Sequence, residues 1–142
     1  MSRIFWDTNL FIYLFEDYGR ISQQVAVLLK KMDERGDELL TSTLTVGEVT
    51  AKPLSRGDTD RCQRYEAAIQ SNATILAFDL ASARKFAGLR AMHQKSLRPP
   101  DAIQLACAAA TGVDLFLTND TRLHNVRVDG IHFITSVERA PI

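Results

Sequence analysis

The chain has little of what usually announces a function. Its 17 Lys and Arg match 17 Asp and Glu, so no net charge argues for nucleic acid or a membrane surface. It has two cysteines, Cys62 and Cys107, in dissimilar settings without C-x-x-C spacing, which argues against a disulfide framework or a zinc site. Cys107 lies in an alanine-rich helical run and reads as a small buried hydrophobe. The three histidines, His93, His124 and His132, are isolated in sequence and read as surface or packing residues. No apolar run approaches the ~20 residues that span a bilayer. A strand begins almost at once, so no signal or transit peptide is expected, and Asn72-Ala73-Thr74 reads as a chance glycosylation sequon. A cytoplasmic protein is expected. Repeats, low-complexity segments and internal linkers are missing too, so residues 1–142 should form one domain. At 46% hydrophobic and 24% charged the chain has the composition of a folded domain, not of a disordered tail.

What is present is an alternation of strands and helices. Arg3–Trp6 is short, apolar and aromatic, as a buried central strand would be. Leu10, Phe11, Leu14 and Phe15 then recur at helical spacing over Thr8–Glu16. Val25, Leu28, Leu29 and Met32 form the stripe of a second helix over Ile21–Glu34, with Gly36 as its stop. Glu38–Thr41 reads as a strand, followed by a helix capped by Ser42 or Thr43 and ended at Lys52 by Pro53. Further helices are expected over Thr59–Gln70, Leu80–His93 and Asp101–Thr111, with residues 96–100 a linker whose prolines suit a helix start. Ala73–Phe78, Leu115–Thr118 and, more weakly, His132–Ile134 complete the strands. This order predicts an α/β fold, a three-layer α/β/α sandwich around a parallel sheet of about five strands. Right-handed crossovers then gather the strands' C-terminal ends on one edge, where ligands of such sheets bind.

Four acids belong to that edge. Asp7 follows Ile4-Phe5-Trp6, and Asp120 closes Leu115-Phe116-Leu117-Thr118-Asn119. Glu48 and Asp101 sit early in helices that start near it. Each has a structural explanation: Asp7 as a helix cap, Glu48 in a Thr45-Val46-Gly47-Glu48 capping box, Asp101 at a helix dipole, Asp120 as a turn residue. Taken together they point elsewhere. Two carboxylates about 5 Å apart repel by roughly 3 kcal/mol at an effective dielectric near 20, so four on one edge ask for a cation. All-oxygen donors favour Mg²⁺ or Mn²⁺ over Zn²⁺. Arg98 and Arg122 flank Asp101 and Asp120, which leaves an ion-pair network as the rival explanation.

The ordered set Asp7-Thr8-Asn9, Glu48, Pro100-Asp101-Ala102-Ile103-Gln104-Leu105-Ala106 and Leu117-Thr118-Asn119-Asp120 resembles the motifs of PIN-domain ribonucleases over nearly the whole chain. The small size is similar to the VapC-type toxins of toxin–antitoxin pairs. The resemblance implies a Mg²⁺- or Mn²⁺-dependent endoribonuclease, usually dimeric and neutralised by a cognate antitoxin. It implies Asp7, Glu48, Asp101 and Asp120 as the acidic cluster, with Asp7 and Asp101 the foremost metal ligands. Thr8 and Asn9 would brace the Asp7 turn, while Thr118 and Asn119 would orient the site by hydrogen bonds. Metal-activated water attacking a phosphate in line leaves 5′-phosphate and 3′-hydroxyl ends. Transfer or ribosomal RNA is the substrate the family suggests, and DNA stays open.

Arg84, Lys85, Arg90, Lys95 and Arg98 form an acid-free basic stretch, in which Arg98 is the expected RNA contact because it lies three residues from Asp101. The apolar stripes at Leu10–Phe15 and Val25–Met32 could in part take an antitoxin helix or could both simply cover the sheet, which sequence does not separate. Three alternatives stand beside this reading. A PIN nuclease of RNA processing would need no antitoxin, and a silent binding module would tolerate amides at the acids. Phosphotransfer is the third, but a haloacid-dehalogenase-like motif wants Asp where Asn9 stands, and a receiver's paired acids and late lysine are missing.

Overall fold

The computed structural model describes residues 1–142. Five strands, β1 (Arg3–Trp6), β2 (Glu38–Ser42), β3 (Thr74–Leu76), β4 (Val113–Leu117) and β5 (Ile131–Thr135), form one parallel sheet in the order β3-β2-β1-β4-β5. Six helices cover it: α1 (Thr8–Phe15), α2 (Arg20–Arg35), α3 (Thr43–Ser55), α4 (Thr59–Asn72), α5 (Leu80–Met92) and α6 (Pro99–Thr111). The central strand β1 buries residues on both faces, as a strand between two helical layers must. Ile4 and Trp6 pack with Leu10, Val25, Leu28, Met32, Val49 and Ile69, so α1–α4 form one layer. Phe5 turns the other way and meets Phe116, Leu105 and Leu89, so α5 and α6 form the second. The Phe5 and Phe116 rings stack at 5.0 Å between centroids across β1 and β4. Each fully buried side chain of this size contributes about 1.5–3 kcal/mol.

Several boundaries differ from the sequence reading, for local reasons. Pro53 does not end α3 at Lys52; it lies buried inside the last turn of a helix that reaches Ser55. The turn closes because the Pro53 carbonyl accepts from Arg56 N and Asp58 N at 3.1 and 3.0 Å. Helix α6 begins at Pro99, not Asp101, since the first turn needs no N–H donors from its residues and suits proline's fixed φ. Strand β3 stops at Leu76, well short of Phe78, because its only neighbour β2 ends at the paired Ser42. One glycine is obligatory. Gly130 has φ +101°, and a Cβ there would lie 2.4 Å from the Ala109 carbonyl oxygen, so only glycine lets the chain enter β5 against α6. No helix is long and apolar enough to cross a membrane.

The strand order reverses between β1 and β4, because the chain goes from β1 out to β2 and β3 before returning to β4 on the other side. Ligands of open parallel sheets bind outside the C-terminal ends at such a switch point. The residues there are Asp7 and Thr118.

Candidate active site

Asp7 leaves β1 and caps α1, its Oδ1 accepting from Thr8 N at 2.8 Å. Its own N–H continues the sheet by donating to Leu117 O at 3.0 Å. One residue beyond β4, the Thr118 hydroxyl donates to Asp7 Oδ2 at 2.8 Å and accepts from Asp120 N at 3.0 Å. Thr118 therefore ties two of the predicted acids to each other. Asp120 caps the short 3₁₀ turn Thr121–Leu123. Asp101 lies in the first turn of α6. Glu48 is not in a capping box: α3 starts at Thr43, so Glu48 falls in the second turn, and its Oε1 accepts from the Thr8 hydroxyl at 2.7 Å.

The four carboxylates form two pairs with different partners. Asp7 and Glu48 are linked by Thr8 alone, which serves one through its N–H and the other through its hydroxyl. Asp101 and Asp120 are linked by arginines. Arg98 Nε lies 3.4 Å from Asp101 Oδ2 and its Nη2 3.8 Å from Asp120 Oδ2. Arg122 pairs closely with Asp120 and reaches Asp101 Oδ2 at 3.8 Å. The electrostatics follow this division. Burial raises the Asp7 pKa from 3.8 to about 6, against the Thr118 and Thr8 hydrogen bonds that lower it. Repulsion from Asp101 and Glu48 adds to the rise, so both stand within the field of Asp7. Asp120 is shifted the other way, chiefly by its hydrogen bonds to Arg122.

No three of the chain's Asp, Glu, His and Cys side chains converge closely enough, as they stand, to ligate one ion. The donor chemistry nevertheless suits a hard divalent cation, since it is all carboxylate and hydroxyl oxygen around a buried acid that has no cationic partner. The guanidinium groups of Arg98 and Arg122 supply the positive charge at Asp101 and Asp120.

The supporting residues divide as well. Thr8 and Thr118 make the bonds that orient Asp7, whereas Asn9 leaves its Oδ1 buried without a partner. The bonds beside Asn119 run through Thr118. His124, read from sequence as an ordinary residue, has its Nε2 2.8 Å from Thr118 O, so a ring N–H braces the loop from behind. Sequence reasoning gave no role to Gln104, which is 2% exposed and contacts Ser42, Thr8 and Thr45 through its amide. The signal was available: it is the one strongly polar residue in the apolar run Ala102–Ala110. Arg90, part of the basic stretch, is committed to the Leu97 carbonyl.

Residues 4–129 match the PIN domain family. None of the curated proteins matches the sequence. Among solved structures, the chain is similar to one in DNA-bound VapBC from Salmonella typhimurium, with TM-score 0.76 and 18% identity over 96% of this chain and 99% of that one. VapBC2 from Rickettsia felis, bound to a promoter DNA fragment, gives TM-score 0.76 and 13% identity over 94% and 98%. FitAcB from Neisseria gonorrhoeae gives TM-score 0.74 and 20% identity over 96% and 99%. At these identities the likeness shows the shared fold.

Proposed function

The chain belongs to the PIN domain family, and from that premise we propose that it is a metal-dependent endoribonuclease, the toxin of a toxin–antitoxin pair. One observation carries the reading. Asp7 is buried at the switch point of the sheet, oriented by two hydrogen bonds, and has no cation of its own. Its pKa of about 6 leaves it ionised at neutral pH, at a cost that a bound cation would offset.

Asp7 and Asp101 would hold Mg²⁺ or Mn²⁺, with Glu48 and Asp120 completing the acidic surround. When bound, such an ion polarises a phosphate oxygen and makes its water a nucleophile near neutral pH. The chain's own residues do the positioning. Thr118 and Thr8 fix the plane of the Asp7 carboxylate, and Thr8 holds Glu48. Arg98 and Arg122 are 64% and 50% exposed beside the acids, so they can turn from carboxylate to RNA phosphate. No histidine base is required, and His124 is already bonded to Thr118 O.

The antitoxin half of the proposal is supported by the similar structures, which come from VapBC and FitAcB assemblies. It is supported also by an open groove of about 460 Å³ where Val27 and Leu28 of α2 face Val137, Ala140 and Ile142 between Arg20 and Lys31. An amphipathic helix with acidic flanks would suit it. Cytoplasmic location and a homodimer belong to the same reading.

A catalytically silent binding module is the second reading, favoured by the arginines on Asp101 and Asp120. Incubation of total RNA with the purified protein separates the two. Cleavage in Mg²⁺ or Mn²⁺ that stops with EDTA, and is lost in an identically purified Asp101→Asn variant, is the expected result. Equal cleavage by both proteins means contamination. A wild type that neither cuts RNA nor binds Mn²⁺ rejects the nuclease.

A further inference from the structure

We propose that Gln104 is a positioning residue of the acidic site, acting through the hydroxyl of Thr8 on the carboxylate of Glu48. Its consequence for metal binding rests on the nuclease reading; the geometry does not.

Gln104 lies one turn after Asp101 on α6 and is 2% exposed. Its Oε1 accepts from the Ser42 hydroxyl, while its Nε2 donates to Thr8 Oγ1 at 3.0 Å and to Thr45 Oγ1 at 2.8 Å. A buried amide can be placed with its oxygen and nitrogen exchanged, but here only one placement works. With Oε1 turned towards Thr8, the single hydroxyl hydrogen of Thr8 would go to the amide. Thr8 Oγ1 and the Glu48 carboxylate, 2.7 Å apart, would then face each other without a hydrogen between them. With Nε2 there, Thr8 keeps its hydrogen for Glu48. Ser42 donates to Gln104, Gln104 donates to Thr8 and Thr45, and Thr8 donates to Glu48. The Thr41 hydroxyl donates to Trp6 O over 2.9 Å and towards Thr45 Oγ1 over 2.8 Å, and Thr45 Oγ1 also lies 3.2 Å from Thr8 Oγ1. One arm of the amide thus leads to Glu48, and the other to the end of β1 just before Asp7.

Gln104 makes no hydrogen bond to the acids, so its influence passes through Thr8. Thr8 Oγ1 has one hydrogen; by occupying its lone pair as a donor, Gln104 turns that hydrogen outward onto Glu48. Glu48 is otherwise an exposed side chain on a helix surface, free to sample several rotamers. A purely structural Gln104 would matter equally along both arms. A positioning Gln104 matters at Glu48.

The test uses the full chain without metal and reads the side-chain carboxyl ¹³C resonance of Glu48. Gln104→Met and Thr8→Val should move it in the same direction, and the double variant should move it no further. Thr8→Ser, which keeps the hydroxyl, should leave it in place. Thr41→Val, which cuts the other arm beyond Thr45 and does not touch Thr8, should lower the melting temperature and leave the resonance unmoved. Gln104→Asn, whose shorter amide falls short of Thr8, serves if Gln104→Met does not fold. A Glu48 resonance that ignores both Gln104 variants while Thr8→Val shifts it would overturn the proposal, as would a shift in Thr41→Val equal to that in Gln104→Met. Mn²⁺ binding then reads the consequence: Gln104→Met should weaken it by about tenfold, and by nothing further in a Glu48→Gln background. A wild type that binds no Mn²⁺ would reject the nuclease reading, while the resonance still decides the positioning role.

Discussion

The two edges of one sheet treat their buried acids, Asp37 and Asp7, in opposite ways. At the N-terminal edge Asp37, Glu38 and Asp114 each meet a donor that belongs to the scaffold. The Asp37 side chain is fully buried, with Ser2 N donating to Oδ1 at 2.7 Å and Arg35 Nε 3.2 Å from Oδ2 as an ion pair. Glu38 lies 3.4 Å from Arg3 Nε, and Asp114 accepts from Arg3 N at 2.8 Å. At the C-terminal edge Asp7 is buried too but has no cation, so burial lifts its pKa to about 6. An acid that the fold buries for its own sake brings its counter-charge with it. An acid buried without one is held ready for a charge from outside.

That contrast can be broken most severely at Asp7. Asp7→Asn should reduce metal-dependent RNA cleavage at least about 100-fold, since a metal centre supplies several kcal/mol of transition-state stabilisation. Asp37→Asn should leave the specific rate unchanged in the same assay.

Stability should order the two variants the other way. Asp37→Asn should lose about 1 kcal/mol in urea unfolding, because the ion pair is broken while the 40% exposed Arg35 turns to water. For Asp7 the folded pKa of about 6 exceeds the ordinary 3.8, so the folded state holds the proton more tightly. Its contribution is therefore fully present below pH 3.8 and disappears as pH rises through 6, a loss of roughly 3 kcal/mol. Asp7→Asn should accordingly stabilise the metal-free protein by about 1–2 kcal/mol at pH 7.5, less than the full cost because the amide cannot accept both hydrogen bonds. The gain should vanish near pH 4 in paired unfolding curves. A gain independent of pH would mean that burial is not what perturbs Asp7.

Thr118→Val sharpens the comparison by removing a hydroxyl that serves both Asp7 and Asp120 N. A loss of about 1–3 kcal/mol is expected, together with a pKa for Asp7 above 6, seen as a wider pH range of falling stability. The smallest effect belongs to Arg122→Gln. Its guanidinium is half exposed, so stability should change by less than about 1 kcal/mol and the difference should fade in high salt. Mn²⁺ binding should tighten, since Asp101 and Asp120 then lose a competing cation.

How much of this could be read from the residues depended on whether chain order or side-chain direction decided it. The parallel sheet and the placing of Asp7 and Asp120 after β1 and β4 follow from apolar runs that end in an acid, and these were legible. The start of α6 was misplaced by two residues because Pro99 and Pro100 read as linker as readily as first turn. Pro53 was overread: near a helix end the missing N–H is tolerated when its carbonyl closes the next turn. The pairing of Asp101 and Asp120 with arginines was stated as a rival and is what the side chains do. The Gln104 network was invisible, because its members Thr8, Thr41, Ser42, Thr45 and Gln104 come from four elements and meet only when α3 and α6 dock on the sheet.

Asp7, at the C-terminal edge of the sheet, lacks the cation that its setting is built to receive. Calorimetric titration of the metal-free chain with Mn²⁺ at pH 7.5 tests it directly, with Asp7→Asn and Asp37→Asn as the paired variants. Binding is expected to the wild type and to Asp37→Asn, weakened at least about tenfold in Asp7→Asn. Binding of equal strength in all three, or none to the folded wild type, would contradict it.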